Sequence, residues 1–473
     1  MHRPFGTDGV RETANTVLTA ELALALGRAG AHVLGGRAAG AANEPAWGAQ
    51  GRPRVVLGRD TRVSGPLLGA AVAAGAMSAG VDVIDLGVFP TAGVACLTRS
   101  LAAAGGVVIS ASHNPYEDNG IKFFGADGTK LSDEVEDEIA AHATTRQDRV
   151  PRPGGCAVGR ALAQPDGREL YLRHVVGTVA VRLDGLRVVV DCANGATTGF
   201  AREALERLGA QVREVAASPD GCNINADCGS THPASVAAAV VDCGYDLGLA
   251  FDGDGDRVVA VDGGGRVLDG DDLLAIVACD MLERDALPGR GIVATVMSNM
   301  GLDLLLASAG GRVVRTPVGD RQVYLAMRRE GLAVGGEQSG HIIFLEHHTT
   351  GDGLITAVQL LQVLARRGQT LGEAAGKFER FPQAQRSVRV ESRAALAAVA
   401  GQPRVAEAVR EAERSLGSMG RVVLRPSGTE PVMRVMVEAR QAEVAERLAD
   451  ELVEAIGRED CTGARRQQRQ VVP

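Results

Sequence analysis

The chain of 473 residues is too long for one hydrophobic core, and at roughly 100–200 residues per domain it calls for three or four. Hydrophobic residues make up 45% and charged residues 23%, the balance of a globular protein, and no apolar run approaches the length needed to cross a membrane. A net charge of −8 and 3% aromatics supply neither the basic surface nor the stacking platforms that nucleic acid needs, so an anionic ligand must meet a local cluster of arginines.

In chain order, the start Met1-His2-Arg3-Pro4-Phe5-Gly6-Thr7 lacks the apolar core of a secretion signal, so a cytoplasmic protein is expected. Apolar spacing predicts a helix over 20–34, then an exposed loop over 35–53 rich in Gly, Ala and Pro, with Trp47 as a packed anchor. Strands follow at 54–58, 81–87 and 106–110, separated by a helix over 66–79 and a second before Gly105. A second unit has a strand at 187–191, a turn at Asn194-Gly195, a helix over 198–208, and strands at 247–252 and 257–262 on either side of an acidic loop. A third runs from about Val267 to Arg380 and carries an amphipathic helix over 354–364. The remainder has strands at 422–424 and 432–437, a closing helix over 442–456, and a tail from Gly457 with Arg465, Arg466 and Arg469 that is expected to be disordered. This alternation reads as α/β with parallel or mixed sheets, and three successive units of comparable size suggest one fold used three times.

Eight cysteines are scattered without a Cys-x-x-Cys pair; Cys222 and Cys228, the closest two, are read as reduced thiols. Of fifty basic residues only Lys122, Lys130 and Lys377 are lysine, which fits the codon bias of a GC-rich genome and singles out the lysines that remain.

The run Val107-Val-Ile-Ser-Ala-Ser112-His113-Asn114-Pro115 ends a short apolar strand on a turn that presents the Ser112 hydroxyl. A serine before a histidine is by itself an ordinary turn, and without a Gly-x-Ser-x-Gly elbow a hydrolase triad through His113 has no support. Its weight comes from company. Asp252-Gly-Asp254-Gly-Asp256-Arg257 sets three carboxylates two residues apart, with glycines that let a tight loop turn hard oxygen ligands onto one divalent cation, and Mg²⁺ is the natural choice. An EF-hand would need Gly where Arg257 stands and Glu where Gly263 stands, and a plain acidic turn would crowd three carboxylates without a cation. A phosphorylated Ser112 opposite Mg²⁺ is coherent, because the cation offsets a phosphate charge of about −2.

Arg425-Pro-Ser427-Gly428-Thr429 suits a phosphate: arginine grips it bidentately, Ser427, Thr429 and backbone N–H groups take its other oxygens, and Arg434 can assist. Gly336-Glu337-Gln338-Ser339-Gly340-His341 offers a carboxylate and a hydroxyl of the kind that bond sugar hydroxyls. Lys122 is the candidate for exchanging a proton with an attacking hydroxyl, because an amine can lose its proton and a guanidinium cannot; His341 is the next candidate, and Lys130 is read as a loop charge.

These four loops, in this order, resemble the signature loops of the α-D-phosphohexomutase superfamily, over nearly the whole chain. Phe5-Gly-Thr-Asp-Gly-Val-Arg11, Asn223-Ile-Asn225, Cys228-Gly-Ser-Thr231 and Gln338 are similar to its glucosamine-phosphate branch; a phosphomannomutase/phosphoglucomutase typically carries Met in place of Gln338. The resemblance implies three similar mixed-sheet α/β domains plus a smaller C-terminal α+β lid domain around a central cleft, divided here at 1–170, 171–266, 267–382 and 383–473. It implies that Ser112 carries the phosphoryl group, that Ser112, through its phosphate, holds Mg²⁺ with Asp252, Asp254 and Asp256, and that Lys122, Arg257, His341 and Arg11 belong to the catalytic set. Glu337 and Ser339 would bind sugar hydroxyls, and Arg425, Ser427, Gly428, Thr429 and Arg434 the phosphate that is not being transferred.

The implied reaction is an isomerisation of glucosamine 6-phosphate and glucosamine 1-phosphate through phosphoserine and glucosamine 1,6-bisphosphate, feeding amino-sugar nucleotide and cell-wall synthesis in a bacterium. The alternatives are a phosphomannomutase/phosphoglucomutase and a non-catalytic protein that binds metal and sugar phosphate. The expected partner is a small sugar phosphate, with no nucleic acid and no membrane, and a homodimer is an admissible assembly. Three features depart from the family pattern: Glu12 stands where Gly is usual, 35–53 reads as an insertion, and Arg321-Gln322-Val323-Tyr324 has an unusual order.

Overall fold

The computed structural model describes residues 5–6, 9–38, 51–145, 149–390, 392, 396, 398–399, 401–427, 431–457 and 470–471. It divides into two units, one of residues 1–295 with 314–377 and the other of residues 296–313 with 378–473.

The first sheet holds β1 (Val10–Thr13), β2 (Arg54–Arg59), β3 (Asp82–Val88), β4 (Gly105–Ile109), β5 (Asp118–Gly125) and β6 (Ala161–Leu162), in the order β1-β5-β4-β2-β3-β6. Its helices are α1 (Ala20–Ala38), α2 (Gly65–Ser78), α3 (Thr91–Ser100), α4 (Asp133–Thr144) and α5 (Gly167–Gly177). The second holds β7 (Arg187–Asp191), β8 (Gln211–Val215), β9 (Leu247–Phe251), β10 (Val258–Asp262) and β11 (Val267–Leu268), in the order β11-β10-β9-β7-β8, with α6 (Phe200–Arg207) and α7 (Ala234–Cys243) between strands. After α8 (Gly270–Glu283) the third holds β12 (Gly291–Thr295), β13 (Arg312–Thr316), β14 (Val334–Gly336) and β15 (Ile342–Phe344), in the order β13-β12-β14-β15. Along the chain α9 (Gly301–Ser308) and α10 (Asp320–Glu330) alternate with those strands, and α11 (Gly353–Arg367) and α12 (Leu371–Ala375) follow.

One plan recurs. The segments β5-β4-β2-β3, β10-β9-β7-β8 and β15-β14-β12-β13 have the same order, so the impression of one fold used three times is structural fact. In each, the third strand runs parallel to the first and antiparallel to the fourth: β4 with β2 and β5, β9 with β7 and β10, β14 with β12 and β15. The loop leaving that third strand therefore emerges at the carboxyl end of a parallel pair, the end at which open α/β sheets gather ligands. Ser112, Asp252 and Glu337 all sit in such loops. β4, β9 and β12 are buried along their whole length, which is why they read as unbroken apolar runs rather than alternating ones.

α1 continues to Ala38, past the end expected at residue 34, although Gly35 and Gly36 are poor helix formers. Packing carries the helix through Gly35, where a Cβ would lie 3.3 Å from Pro53 Cγ. α1 crosses α2 with backbones touching: a Cβ on Gly75 would lie 2.2 Å from the Leu24 carbonyl oxygen, and one on Gly27 would lie 2.4 Å from that of Val72. Trp47 and the tail arginines Arg465, Arg466 and Arg469 lie outside the described residues. Glu12 sits on β1 opposite Asn119 with its side chain in solvent, and Arg321 begins α10 in an ion pair with Asp133 of α4 at 2.7 Å. No described helix is long and apolar enough to cross a membrane.

In the second unit, β16 (Gln383–Arg389), β18 (Val432–Ala439) and β17 (Gly420–Pro426) form an antiparallel sheet whose core is shared with the helices Pro403–Leu416 and Ala442–Gly457. Asn299 ties the return of the chain at Phe381, with Oδ1 accepting from the Phe381 amide at 3.0 Å and Nδ2 donating to its carbonyl at 2.8 Å.

Gly75→Ala should destabilise the first sheet's domain by about 1–3 kcal/mol, because rigid backbone must move to admit the methyl group. A urea midpoint shift of the transition that unfolds this domain measures it; an unshifted midpoint would mean the helix crossing is looser than described.

Candidate active site

Ser112 follows β4 in a turn at φ 52°, a left-handed conformation that costs a non-glycine residue about 1–2 kcal/mol. Its amide donates to Ser110 Oγ at 2.9 Å, and its Oγ donates to Asp252 Oδ2 at 2.6 Å and lies 3.4 Å from His113 Nδ1. The residue is 1% exposed. Gly253 permits this approach of the two loops, since a Cβ there would lie 2.7 Å from the Ser112 carbonyl oxygen.

Asp252, Asp254 and Asp256 each bring one oxygen within 4.8 Å of the others, all buried. Asp254 Oδ2 accepts from Lys122 Nζ at 2.9 Å and from Thr91 Oγ1 at 2.8 Å, and Lys122 Nζ lies 4.0 Å from Asp256 Oδ2. Lys122 reaches in from β5, where it stands opposite Val108 of β4. Asp254 Oδ1 and Asp256 Oδ1 are buried without a hydrogen-bond partner among the described residues. Burial, with the Asp256 and Asp254 charges, pushes the Asp252 carboxyl well above the usual carboxylate range. Burial raises Asp256 too, but His341, Lys122 and Arg257 outweigh it and hold that carboxyl well below its ordinary value. Two buried oxygens without a hydrogen-bond partner, on a loop whose three carboxylates face one another, form a donor set that a hard divalent cation fits.

Arg257 spans the two loops, its Nη1 3.0 Å from His113 Nδ1 and its Nε 3.8 Å from Asp256 Oδ1. Burial and then the Arg257 charge push His113 down to about 4. Arg11 donates to Asn114 Oδ1 at 3.2 Å, on the same turn as Ser112.

His341 is buried with Nδ1 3.6 Å from Asp256 Oδ2, while Nε2 accepts from the Gly351 amide at 3.0 Å and lies 3.6 Å from Asp320 Oδ2. Asp320 is ion-paired in turn with Lys130, so Lys130 is more than the loop charge that its sequence position suggests. Glu337 Oε1 accepts from the Gly319 amide at 3.0 Å, and Ser339 is exposed. Gln338 donates through Nε2 to Asp269 Oδ2 at 3.1 Å, which ties the loop to the capping box of α8.

In the second unit Arg425 and Arg434 stand opposite one another on β17 and β18, with Ser427 at the strand end donating its amide to the Val432 carbonyl at 2.8 Å. Gly428 and Thr429 lie outside the described residues. Cys222 and Cys228 are free thiols, as are the other described cysteines. Thr91, Asp60, Arg62 and Asp320 carried no motif signal; only their places, just after β2 and at helix starts beside these loops, mark them out.

Four models of one family match in succession: the phosphoglucomutase/phosphomannomutase α/β/α domains I, II and III over residues 2–150, 169–265 and 269–381, and its C-terminal domain over residues 387–455. The chain belongs to the phosphoglucomutase/phosphomannomutase family. It is 52% identical to the phosphoglucosamine mutase of Desulforudis audaxviator over 96% of this chain and 97% of that one. It is equally 52% identical to the phosphoglucosamine mutase of Pelotomaculum thermopropionicum, over 96% of this chain and 98% of the relative. Among solved structures, a phosphoglucomutase/phosphomannomutase family protein from Burkholderia thailandensis superposes with a TM-score of 0.81 at 26% identity, covering 98% of this chain and 99% of its own.

In this phosphohexomutase chain the connection from β15 to α11 supports His341 from behind. Its Asp352 caps α11, accepting from Leu354 and Ile355 amides at 2.9 and 3.0 Å and from the Tyr171 hydroxyl, and burial lifts the carboxyl to about 6. His348 Nδ1 accepts from the Thr349 amide at 2.9 Å, so the proton sits on Nε2, which donates to the Ala92 carbonyl at 2.9 Å. Burial, reinforced by His174, drives the His348 pKa from 6.5 down to about 3.

Between those two values the unfolded chain binds a proton that the fold refuses, so stability rises with pH through this window and is lost as pH falls from 6.5. His348→Asn has no such proton to gain. It should lower the slope of the urea midpoint against pH between about 6.5 and 4, to which His113, also pushed down, still contributes, and an unchanged slope would assign the acid sensitivity to other groups.

Proposed function

We propose that this enzyme interconverts glucosamine 6-phosphate and glucosamine 1-phosphate, with phospho-Ser112 as the carrier. The observation that carries the reading is Ser112 Oγ bonded at 2.6 Å to Asp252 of a buried three-carboxylate cluster, in a chain 52% identical to a phosphoglucosamine mutase along almost its full length. Asp252, Asp254 and Asp256, with an oxygen of the phosphoserine, would hold Mg²⁺, which when bound offsets the charge of the phosphoryl group in flight.

In the first half-reaction the bond from phosphorus to Ser112 Oγ breaks as a bond to the free sugar hydroxyl forms. The hydroxyl's proton is exchanged through Lys122 and ends on Ser112 Oγ, leaving glucosamine 1,6-bisphosphate. The bisphosphate turns end for end and returns its other phosphate to Ser112. Glu337 and Ser339 meet the sugar hydroxyls, and Arg425, Ser427, Gly428, Thr429 and Arg434 hold the phosphate at rest. Arg257 and Arg11 add positive charge beside Ser112. His341, with both ring edges engaged, is assigned to holding Asp256 rather than to carrying protons. We keep domain limits of 1–170, 171–266, 267–382 and 383–473, and the cytoplasm as the compartment where such phosphorylated sugars are held.

With Mg²⁺ present, kcat/KM for glucosamine 6-phosphate should exceed that for glucose and mannose phosphates. Ser112→Ala should abolish turnover with the thermal transition in place, and exhaustive chelation should do the same to wild type. An active Ser112→Ala protein that never shows phosphate by intact mass would sink the mechanism, and a higher kcat/KM for mannose phosphate would reassign the substrate.

Lys122→Arg keeps the charge facing Asp254 but gives up an exchangeable proton, so kcat should fall by roughly 10²-fold or more with KM little changed. Wild-type turnover in that variant would make Lys122 a point charge.

A further inference from the structure

We propose that Arg62 and Asn225 form a clamp that holds the Ser112 turn in its reactive shape, and that both are positioning residues for the phosphoryl transfer; the inference rests on the activity proposed above. Two carbonyls of the turn, those of Ser112 and Asn114, converge on one point, and each accepts from both clamp residues. Arg62 Nη2 donates to Ser112 O at 3.1 Å and to Asn114 O at 2.5 Å. Asn225 Nδ2 donates to the same two oxygens at 2.9 and 3.0 Å.

Converging carbonyl dipoles repel one another, so without the donors a flip of the peptide after Ser112, which turns its carbonyl away, relieves that repulsion in a turn already strained by a φ of 52° at Ser112. The turn directs its carbonyls to the clamp and its Oγ to Asp252, so the clamp sets where the nucleophile points. Both clamp residues are themselves held. Arg62 is fully buried and paired with Asp60, whose Oδ1 accepts from the Arg62 amide at 3.0 Å. Asn225 donates its amide to the Ala193 carbonyl at 2.9 Å and is itself at φ 57°, a conformation that Asn and Asp tolerate better than other residues with a Cβ.

The clamp residues come from different sheets' loops, Arg62 after β2 and Asn225 between β8 and α7. The loop after β2 is stitched further to the second sheet's loops, by Thr61 Oγ1 donating at 2.6 Å to the carbonyl of Asn194 after β7 and by the Val63 amide donating at 2.8 Å to the carbonyl of Gly221 between β8 and α7. The shape of the turn thus depends on the first and second domains staying together. This gives Asn225 of the Asn223-Ile-Asn225 motif a physical task.

Asn225→Asp isolates the task, because it retains the side-chain size and the tolerance of positive φ while replacing the donor with an acceptor aimed at two carbonyls. In the Mg²⁺-loaded full-length protein, kcat for glucosamine 6-phosphate should fall about 10–100-fold, the scale of a small misplacement, with KM within about threefold. The rate at which glucosamine 1,6-bisphosphate phosphorylates Ser112, followed by intact mass, should fall by the same factor, and the thermal midpoint should stay within a few degrees. Asn225→Ala should behave alike, and Arg62→Met should add to the loss if it folds. Unchanged kcat and loading rate in a folded Asn225→Asp protein would overturn the clamp, as would a rise in KM alone, which would make Asn225 a sugar contact. A wild-type protein that is phosphorylated by the bisphosphate yet does not turn over glucosamine phosphates would instead refute the substrate reading and leave the loading test intact.

Discussion

Asp252, Asp254 and Asp256 converge in a buried site where an uncompensated carboxylate costs several kcal/mol, and the surrounding structure answers to that charge. Lys122 comes from a strand of the first sheet, Arg257 from the carboxylate loop itself and His341 from a loop of the third. Each is paired or braced in turn: Thr91 shares Asp254 with Lys122, His113 meets Arg257, and Asp320 with Lys130 backs His341. Even so, one oxygen each of Asp254 and Asp256 has no hydrogen-bond partner among the described residues, an arrangement that suits a bound cation.

That convergence rests on repetition. In three sheets of one strand order, the loop after the third strand leaves the carboxyl end of a parallel pair. Each copy then carries different chemistry there: a hydroxyl at Ser112, carboxylates at 252–256, and a carboxylate, a hydroxyl and an imidazole at 337–341. Backbone contacts lock the loops together, with Gly353 donating to the Gly255 carbonyl at 3.0 Å and Val258 to that of Gly340 at 3.2 Å. The two glycines of the Asp-Gly-Asp-Gly-Asp motif have different reasons: a Cβ on Gly253 would collide with the backbone of the Ser112 turn, whereas Gly255 turns the loop at φ 74°, with the Thr197 methyl 2.4 Å from where a Cβ would stand.

Rigidity around the nucleophile is distributed in the same way. The left-handed turn at Ser112 is held by groups from its own loop, from the loop after β2 and from the second domain, so strain in one residue is offset by bonds spread over three segments. Gln338 is comparable: its Nε2 is engaged with the α8 cap, which ties down its loop.

The α/β class, a hint of threefold recurrence and the candidate loops are legible along the chain, because strand periodicity and a short motif are both written in contiguous residues. Ser112, the three aspartates and Lys122 were legible for that reason, Lys122 aided by the scarcity of lysine. Which of them meet is a matter of the folded chain: Lys122 and Asp254 are 132 positions apart, Ser112 and Asp252 140, and Asn225 and the Ser112 carbonyl 113. The fold also decided the length of α1, which runs on through two glycines to Ala38, and the pairing of Lys130, which local context left as a loop charge. Such contacts depend on how sheets stack and which ends of parallel strands face one another, and no local pattern of residues encodes that.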